Sequence, residues 1–493
     1  MTTLFQFLFL RLAALYLLCL LCAPSWSYAQ STLDSLSLED LVELARQQTL
    51  QSKEARLNLE VAQLSYQNYR AGLKPQLVGN ANFPNYAKTF SETTQPDGTV
   101  RFQPILNNNS AVGLSLTQAI TSTGGTLFVD SDLQRFDDFE NDQSFYNGLP
   151  IRIGFLQPIG AFNPLKWAKK IEPVRLKEAK KQYFLDRESS IGRTTALFFQ
   201  LLIAQQNLNI AITNKESNQK LFEIANERYE LGQISYNNLL QLKLELAAAA
   251  QQTQSALQSV RNTSADIYAL LGQTFDGKII KAKMPVLTEL EIELATALEE
   301  ALQNRADLDR HQRLILESDR AISQAKRDNG FQAQLSASFG FARSAQNLQD
   351  IYTDAQQEQL VQFQLQIPIL DWGRRKSAVG IAQVRKTYTQ ALIQQERLNL
   401  KVSLQQLVDQ FNSLKQELNL IQEVKNIAEE RFKISQESFV LGAISITDLS
   451  IAQQEKDRAV RGYLSTLGQY WQTYYELRTS ALYDFKNDKK IIQ

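Results

Sequence analysis

The chain has 493 residues, enough for about two to four ordinary domains, and carries 52 basic and 52 acidic side chains. This balance gives no sign of a basic surface for nucleic acid, so we expect no nucleic-acid partner. Only 11 residues are Pro and 20 are Gly, while Gln, Leu, Ala and Glu are abundant. Such a composition is typical of long helices and coiled coils.

The N-terminus predicts a secretory signal peptide at residues 1–29. It carries Arg11, an apolar run at 12–22, and the small-x-small sequence Ser-Tyr-Ala at 27–29, so we expect cleavage before Gln30. A membrane anchor is the alternative. The apolar run after Arg11 is shorter than the roughly 20 residues that a spanning helix needs, which favours the signal peptide.

Residue types that carry enzyme chemistry are scarce in the sequence. Both cysteines, Cys19 and Cys22, lie in the predicted signal peptide, so the mature chain would have no disulfide, thiolate metal site or cysteine nucleophile. The single histidine, His311, stands in the charged helical stretch DRHQR, and we interpret it as a solvated surface side chain. The sequence contains no P-loop and no Gly-rich dinucleotide loop. We therefore expect no enzyme, no cofactor and no metal site.

The chain repeats itself at an offset of 210 residues. The stretch RYELGQISYNNLL at 228–240 aligns with SFVLGAISITDLS at 438–450. Upstream of both, apolar positions step by four and three as in the a/d seam of a coiled coil, and the off-pattern Lys215 recurs as Lys425. Because Lys, Gly and Ser all fall in register, we infer an internal duplication.

Each repeat of the mature chain has the same predicted order of elements. The first repeat, 30–286, comprises a helix at 38–70, strands at about 76–159, a long helix at 164–230, a return helix at 235–271 and a linker. The second repeat, 287–493, comprises a helix at 287–327, strands at about 334–369, a long helix at 374–440, a return helix at 446–483 and a polar tail. Each long helix would extend about 100 Å, so two shorter helices placed end to end can lie beside it.

Strict alternation marks the predicted strands of the second repeat. Residues 334–341 and 361–369 place Gln and Ser on one face and Leu, Phe, Val and Ile on the other. A barrel strand between water and lipid needs this pattern, although a half-buried strand of a soluble sheet would also show it. We favour the barrel because no nearby segment looks like a covering sheet or helix.

The strand region of the first repeat is longer. It has a strand at 76–83, a polar loop, and a strand at 111–120, followed by an extra hairpin formed by 126–136 and 151–159. The sequence leaves open whether this hairpin joins the barrel. Four strands, or six with the hairpin, cannot close a barrel, since the smallest membrane barrels have about eight. Several chains must therefore combine, because an open edge in lipid leaves backbone groups unpaired.

Two motifs occur once in each repeat. The pattern G-x-x-S-x-x-D/N-L appears as GQISYNNL and GAISITDL, and the corner LQPIGAFNPLKWA is echoed by QIPILDWGRRKSA. Together with the duplicated order of elements, these motifs resemble the TolC-type outer-membrane efflux and secretion channels over nearly the whole mature chain. The resemblance implies a mixed, mainly α fold, with a long coiled-coil periplasmic tunnel and a transmembrane β-barrel built from several chains. It also implies a homotrimer in the outer membrane with a helical extension into the periplasm.

The function implied by the resemblance is passive conduction. The trimer would be the exit duct of a tripartite efflux or type I secretion system, and would receive substrates from a periplasmic adaptor and an inner-membrane pump of the RND or ABC class. The cargo and the class of pump are not specified by the sequence. The competing interpretation is an exported coiled-coil scaffold or adhesin with a small β domain and no channel. That interpretation explains the heptads but not the lipid-type alternation of the strands.

The tip motifs supply the candidate site residues. By the resemblance, the adaptor would dock at the two tips, through Gly232, Ile234 and Ser235 and through Gly442, Ile444 and Ser445. Plain turn chemistry is the alternative reading of these residues.

The resemblance also implies an entrance to the lumen near Asp448, which matches a position where the family places a lumen-facing carboxylate. A second helix cap is the alternative role for Asp448. Asn238 stands at the equivalent position of the first repeat and Ile451 lies one turn beyond Asp448, and both argue against a strongly acidic gate.

Overall fold

The computed structural model describes residues 35–287 and 290–492, so the predicted signal peptide lies outside the described residues. The described residues form helices α1 (Leu38–Gln48), α2 (Leu50–Gly72), α3 (Pro164–Glu230), α4 (Tyr236–Leu270), α5 (Leu294–Asn304), α6 (Asp307–Asp328), α7 (Arg374–Val440) and α8 (Ile446–Ala481). They also form strands β1 (Ser35–Leu36), β2 (Gln76–Asn82), β3 (Tyr86–Thr94), β4 (Val100–Ala119), β5 (Thr126–Asp138), β6 (Gln143–Ile159), β7 (Lys281–Ala282), β8 (Gln332–Ala345), β9 (Gln356–Gln366), β10 (Tyr483–Asp484) and β11 (Lys489–Lys490). None of the described helices is long and apolar enough to cross a membrane.

The two long helices, α3 and α7, have 67 residues each and the bounds that the sequence predicts. Helix α3 begins after Asn163, whose side chain accepts a hydrogen bond from the Lys166 N–H at 3.1 Å, and Pro164 occupies the first turn. Helix α7 begins at a corner where the Asp371 carboxylate accepts hydrogen bonds from the N–H groups of Gly373 and Arg375. Local signals thus fix where both long helices begin.

The first helix of each repeat is broken, and the prediction of one continuous helix was wrong in both. Between α1 and α2, Thr49 is extended (ψ 149°), its hydroxyl donates to the Ala45 carbonyl at 2.8 Å, and the same oxygen accepts from the Ser52 N–H. The Thr49 side chain thus bonds to backbone groups of both helices, in place of the backbone bonds that a continuous helix would make there. In the second repeat Arg305 is extended between α5 and α6, and residues 290–293 are not helical.

Each long helix packs against two shorter stretches of helix. Helix α3 lies against α4 toward the tip and against α1 and α2 toward the sheet, and α7 packs in the same way against α8 and α6. At the level where the short helices meet, both repeats share one apolar core that includes Phe198, Phe411, Tyr470 and Trp471. The rings of Phe411 and Tyr470 stack with centroids 4.8 Å apart. This core joins the two repeats near the middle of the molecule.

A buried ion cluster lies beside the shared core. Glu188 of α3 has no exposed surface, and its carboxylate accepts hydrogen bonds from Arg46 of α1 at 3.0 Å and from Arg478 of α8 at 2.5 Å. Removing one member of a buried ion pair leaves the other charge unsolvated and unpaired. The cluster therefore ties three helices that are distant in sequence.

Seven strands form one antiparallel sheet in the order β2-β4-β5-β6-β8-β9, with β3 beside the first half of β4. The extra hairpin, β5 with β6, lies in the middle of this sheet, and β6 pairs with β8 of the second repeat. The prediction of a polar loop after β2 was wrong, because β3 and the first half of β4 form a two-stranded antiparallel ribbon there. The last strand ends at Gln366, three residues earlier than predicted.

The two faces of the sheet differ in polarity. Residues directly opposite one another across five strands are all apolar on one face, which we call the apolar face, namely Leu77, Leu116, Val129, Ile153 and Phe339. The adjacent row, on what we call the polar face, contains Ser115, Asp130 and Arg152. The apolar face is largely exposed within the chain, as Leu77 (68%) and Ile153 (53%) illustrate. An exposed apolar surface of this extent marks contact with lipid or with another protein.

We expect replacement of Glu188 by Ala to lower the free energy of unfolding by about 3–5 kcal/mol, since Arg46 and Arg478 would lose their buried partner. Glu43→Ala is the matched control. Glu43 also pairs with Arg46 but is exposed, so its loss should cost about 0–1 kcal/mol. Denaturant unfolding of the purified variants measures both values, and equal losses would show that burial of Glu188 has no energetic weight.

Candidate functional site: the two hairpin tips

Each tip is a short reversal between two antiparallel helices. The backbone of Gly232 has φ +70° after α3, and that of Gly442 has φ +80° after α7. Glycine adopts this left-handed conformation without the strain that a side chain would add. The Gly232 N–H donates to the Tyr229 carbonyl at 2.9 Å, and the Gly442 N–H donates to the Phe439 carbonyl at the same distance. These bonds satisfy carbonyls at both helix ends, so the two repeats end their long helices in the same way.

Serines begin both return helices. Ser235 Oγ accepts from the Asn238 N–H at 3.3 Å, and Ser445 Oγ accepts from the Asp448 N–H at 3.2 Å. In the second tip the Asp448 carboxylate also accepts from the Ser445 N–H at 3.2 Å, which completes a capping box. The hydrogen bond from the Ser445 hydroxyl, followed by that from its N–H, lowers the pKa of Asp448 below its ordinary value of 3.8. Asp448 therefore caps α8, and its place at an entrance to the lumen stays a prediction.

The predicted docking residues divide into two groups by exposure. Gly232, Ser235, Gly442 and Ser445 are exposed at the ends of the hairpins. Ile234 and Ile444 are half-buried and pack against an apolar cluster that both hairpins share, which we call the tip cluster: Leu221, Ala225, Leu239, Leu242, Phe432, Phe439, Ile446, Leu449 and Ala452. The two isoleucines thus anchor the tips, while the glycines and serines form the surface.

The structure adds a link that the sequence analysis missed. The guanidinium of Arg228, in the last turn of α3, donates to the Val440 carbonyl at 2.7 Å and lies 5.8 Å from the centroid of the Phe439 ring. A cation at a helix C-terminus satisfies its free carbonyls and opposes the negative end of its dipole. Arg228 therefore holds the end of α7 beside the end of α3. In the alignment of the two repeats Arg228 stands opposite Ser438. This difference between the repeats was the signal in the sequence that pointed to Arg228.

Two exposed leucines were also missed. Leu231 and Leu441 directly precede the tip glycines, and their side chains are 72% and 83% exposed. They place apolar area at the extreme end of both hairpins, where no described residue covers it. A groove of about 490 Å³ opens beside Leu441 between α3 and α7, and its lining includes Leu221, Ile224 and Val440. Since these leucines recur at the 210-residue offset, the repeat itself was the signal for them.

His311 does not lie at the surface, so its interpretation as a solvated side chain was wrong. It is 5% exposed, and its Nε2 lies 2.8 Å from a carboxylate oxygen of Glu396 on α7. Arg310 donates to the same Glu396 oxygen at 2.8 Å. The pair joins α6 to α7 within the helical part. Across residues 35–287 and 290–492, no group of three or more His, Cys, Asp or Glu side chains could hold a metal ion.

A protein-family model described as "outer membrane efflux protein" matches residues 41–273 and 297–481, one segment in each repeat and most of the chain in total. The chain belongs to the outer membrane efflux protein family. Each matched segment contains one long helix, one tip and one return helix, so the internal duplication is a property of the family match as well.

Solved structures show the same efflux-protein fold. The Campylobacter jejuni CmeC outer membrane channel is 17% identical with a TM-score of 0.66, over 90% of this chain and 85% of that chain. The Neisseria gonorrhoeae MtrE outer membrane channel is 13% identical with a TM-score of 0.63, over 90% of this chain and 88% of that chain. The Vibrio cholerae outer membrane protein VceC is 14% identical with a TM-score of 0.59, over 90% and 95%. No curated protein matches the chain. The fold of this efflux-family member is therefore TolC-like, a helical part with a β-sheet region.

We expect Ser445→Ala to weaken the start of α8 by about 1 kcal/mol, because the Asp448 N–H loses its acceptor. Amide hydrogen exchange at position 448 should become faster in this variant, and exchange at position 445 should become faster in Asp448→Ala, which removes the acceptor of the Ser445 N–H. The matched control Ser235→Ala should change exchange only in the first tip. Because the folded-state pKa of Asp448 is lowered, its contribution is present at neutral pH and is lost as the pH falls through the folded-state pKa. Unchanged exchange at position 448 in Ser445→Ala and at position 445 in Asp448→Ala would exclude the capping role.

Proposed function

We propose that three copies of this chain form an outer-membrane exit duct that passively conducts substrates from a periplasmic adaptor and an inner-membrane pump to the exterior. One observation carries the proposal: the family layout places an exposed apolar sheet at one end of two 67-residue helices and paired, partly apolar tips at the other. A helix of this length spans about 100 Å. One end can thus lie in a membrane while the other reaches a partner far from it.

The sheet supplies the argument for the membrane end. Strands β2 and β9 form opposite edges of the sheet, and every residue of both strands is exposed within the chain. In lipid, each unpaired backbone group of such an edge would cost several kcal/mol. Pairing the edges of three copies removes this cost and produces a transmembrane β-barrel, with the apolar face toward lipid and the polar face toward the lumen.

The tips supply the argument for the partner. They expose Gly232, Ser235, Gly442 and Ser445, and beside them lie the exposed Leu231 and Leu441. Small residues let another backbone approach closely, and leucines offer apolar area that water would otherwise surround. We propose that a periplasmic adaptor docks here and connects the duct to a pump of the RND or ABC class. The description of the family as efflux proteins favours a tripartite efflux system over type I secretion.

The entrance would lie between the tips of the three copies. Asn238 and Asp448 would border it, one neutral and one acidic side chain from each chain. Because Asp448 is already engaged in a capping box, its carboxylate is less free to coordinate a passing cation. We therefore expect weak ion selectivity. The duct catalyses no reaction and uses no cofactor in this proposal.

A pair of neighbouring substitutions tests the membrane assignment. Phe363 lies on the apolar face opposite Leu335, and Gln364 lies on the polar face opposite Gln334. Phe363→Arg should cost about 2–4 kcal/mol per copy and reduce trimers in the outer membrane, whereas Gln364→Arg should be tolerated. Gel analysis of unheated outer-membrane extracts measures the trimer. Equal assembly of both variants, or a wild-type chain found in the soluble periplasmic fraction, would instead support an exported coiled-coil scaffold.

A second pair tests docking at the tip. Gly442 has positive φ, so Gly442→Ala and Gly442→Glu introduce the same backbone strain, of order 1 kcal/mol. Only Glu adds bulk and charge at the surface where the adaptor would approach. We expect both variants to form trimers and the Ala variant to retain efflux, while the Glu variant loses efflux and adaptor crosslinking. Trimer abundance and efflux are measured in the same cells. Full efflux by Gly442→Glu would remove the docking role from the tip residues.

A further inference from the structure

The extra hairpin extends from the helical end of the sheet to Asp138, which lies opposite Asn107 of β4. The turn between β4 and β5 lies at the end nearest the helices, where the Asn163 side chain donates to the Thr121 carbonyl at 3.0 Å. Strand β5 then runs away from the helices for 13 residues, and β6 returns over 17 residues into α3. A strand needs only about 9–11 residues to cross a membrane. Both strands of the hairpin are therefore long enough to cross.

The hairpin continues both faces of the sheet without interruption. On the apolar face, Val129 lies between Leu116 of β4 and Ile153 of β6. On the polar face, the Asp130 carboxylate accepts from Ser115 Oγ at 2.6 Å and from Arg152 Nη2 at 3.0 Å. These bonds link β4, β5 and β6 across one row. A hairpin folded away from the wall would break the apolar row and separate Asp130 from Ser115 of β4, and only its bond to Arg152 would remain.

The directions of the edge strands allow copies of the chain to join. Strand β2 leaves the helical part after α2, and β9 enters it before α7, so the two edges run in opposite directions. The sheet is six strands wide between these edges, and every pairing in it is antiparallel. An even number of strands lets β9 of one copy pair antiparallel with β2 of the next. The occupant that fits each edge is thus a second copy of this chain.

We propose that the extra hairpin is part of the membrane wall, so that the exit of the trimer is a ring of eighteen strands, six from each chain. This inference rests on the proposed function and specifies its exit. Without the hairpin, each chain would give four strands and the ring would have twelve. With strands about 4.8 Å apart and tilted by about 40°, the backbone diameter is about 36 Å for eighteen strands and about 24 Å for twelve.

The wider ring changes which molecules can leave. Lining side chains take about 5 Å on each side, which leaves about 26 Å for eighteen strands and about 14 Å for twelve. A single helix with its side chains is about 10–12 Å across, so two packed helices need about 20 Å. The exit of eighteen strands thus accepts a folded helical hairpin as well as small molecules. The size of the cargo would therefore be limited at the tips and not at the membrane wall.

Disulfide trapping in the thiol-free mature chain tests the position of the hairpin. Thr117 of β4 and Ser338 of β8 lie in one row, with Phe128 and Gly154 between them. In the proposed wall their strands are separated by three spacings, about 14 Å, beyond the roughly 7 Å reach of a disulfide. Thr117→Cys with Ser338→Cys should therefore form no bond in membrane-inserted trimers. The matched control, Ser336→Cys with Gln362→Cys, joins direct cross-strand partners on β8 and β9 and should oxidise readily.

A second measurement uses single cysteines on the two faces of the hairpin. Ile153→Cys, on the apolar face, should resist an impermeant aqueous maleimide in outer membranes, and Asp132→Cys, on the polar face of β5, should react with it. Bonding of the 117–338 pair at the control's yield, or aqueous labelling of Ile153→Cys, would overturn the eighteen-strand ring. Trimer abundance and efflux are followed in the same strains. If trimers and efflux persist although the disulfide and labelling results contradict eighteen strands, the exit duct has twelve strands and the proposed function is retained. If the wild-type chain forms no trimer, the proposed function itself is contradicted.

Discussion

A carboxylate with no access to water lies where the short helices meet along the long ones. Glu188 is held by Arg46 from the start of the chain and by Arg478 from its end, and a buried charge of this kind is stable only while its partners remain. The first, third and last helices must therefore come together at one level. The shared aromatic core beside them, with Phe411 stacked on Tyr470, fills the same level with apolar contacts. From this fixed junction the long helices extend in both directions, which separates the sheet from the tips.

Local chemistry explains why the sequence predicts the helical part well. Asn163 with Pro164 begins one long helix, and Gly232 and Gly442 end both, so the predicted bounds and the observed bounds agree. Each of these signals acts within a few residues and needs no knowledge of the fold. The duplication shows the same signals a second time, 210 residues later in the chain. Because the tips repeat in register, their location at the ends of the hairpins was predictable, and so was their left-handed glycine backbone.

Contacts between distant segments explain what the sequence did not predict. In the sequence, the hairpin of β5 and β6 looks like an insertion that the second repeat lacks. It nevertheless lies at the centre of the sheet, because strand order is decided by pairing with β4 and β8. His311 looks solvated in a charged stretch, but α7 covers it and supplies Glu396. Arg228 bonds to a carbonyl 212 residues away. Charge and polarity along the chain do not reveal which residues a tertiary contact will bury.

The turn beneath the extra hairpin has a consequence for how such proteins change. Strand β4 ends at Ala119 and β6 ends at Ile159, both at the helical end of the sheet and both running toward the helices. The 40 residues after β4 therefore bring the chain back to the same end of the sheet in the same direction. Asn163 fastens that turn and caps α3 with the same side chain. Insertions made there add strands in pairs and leave every helix in place. Evolution, or a protein engineer, can thus widen or narrow the sheet by whole hairpins while the helices and tips are inherited unaltered.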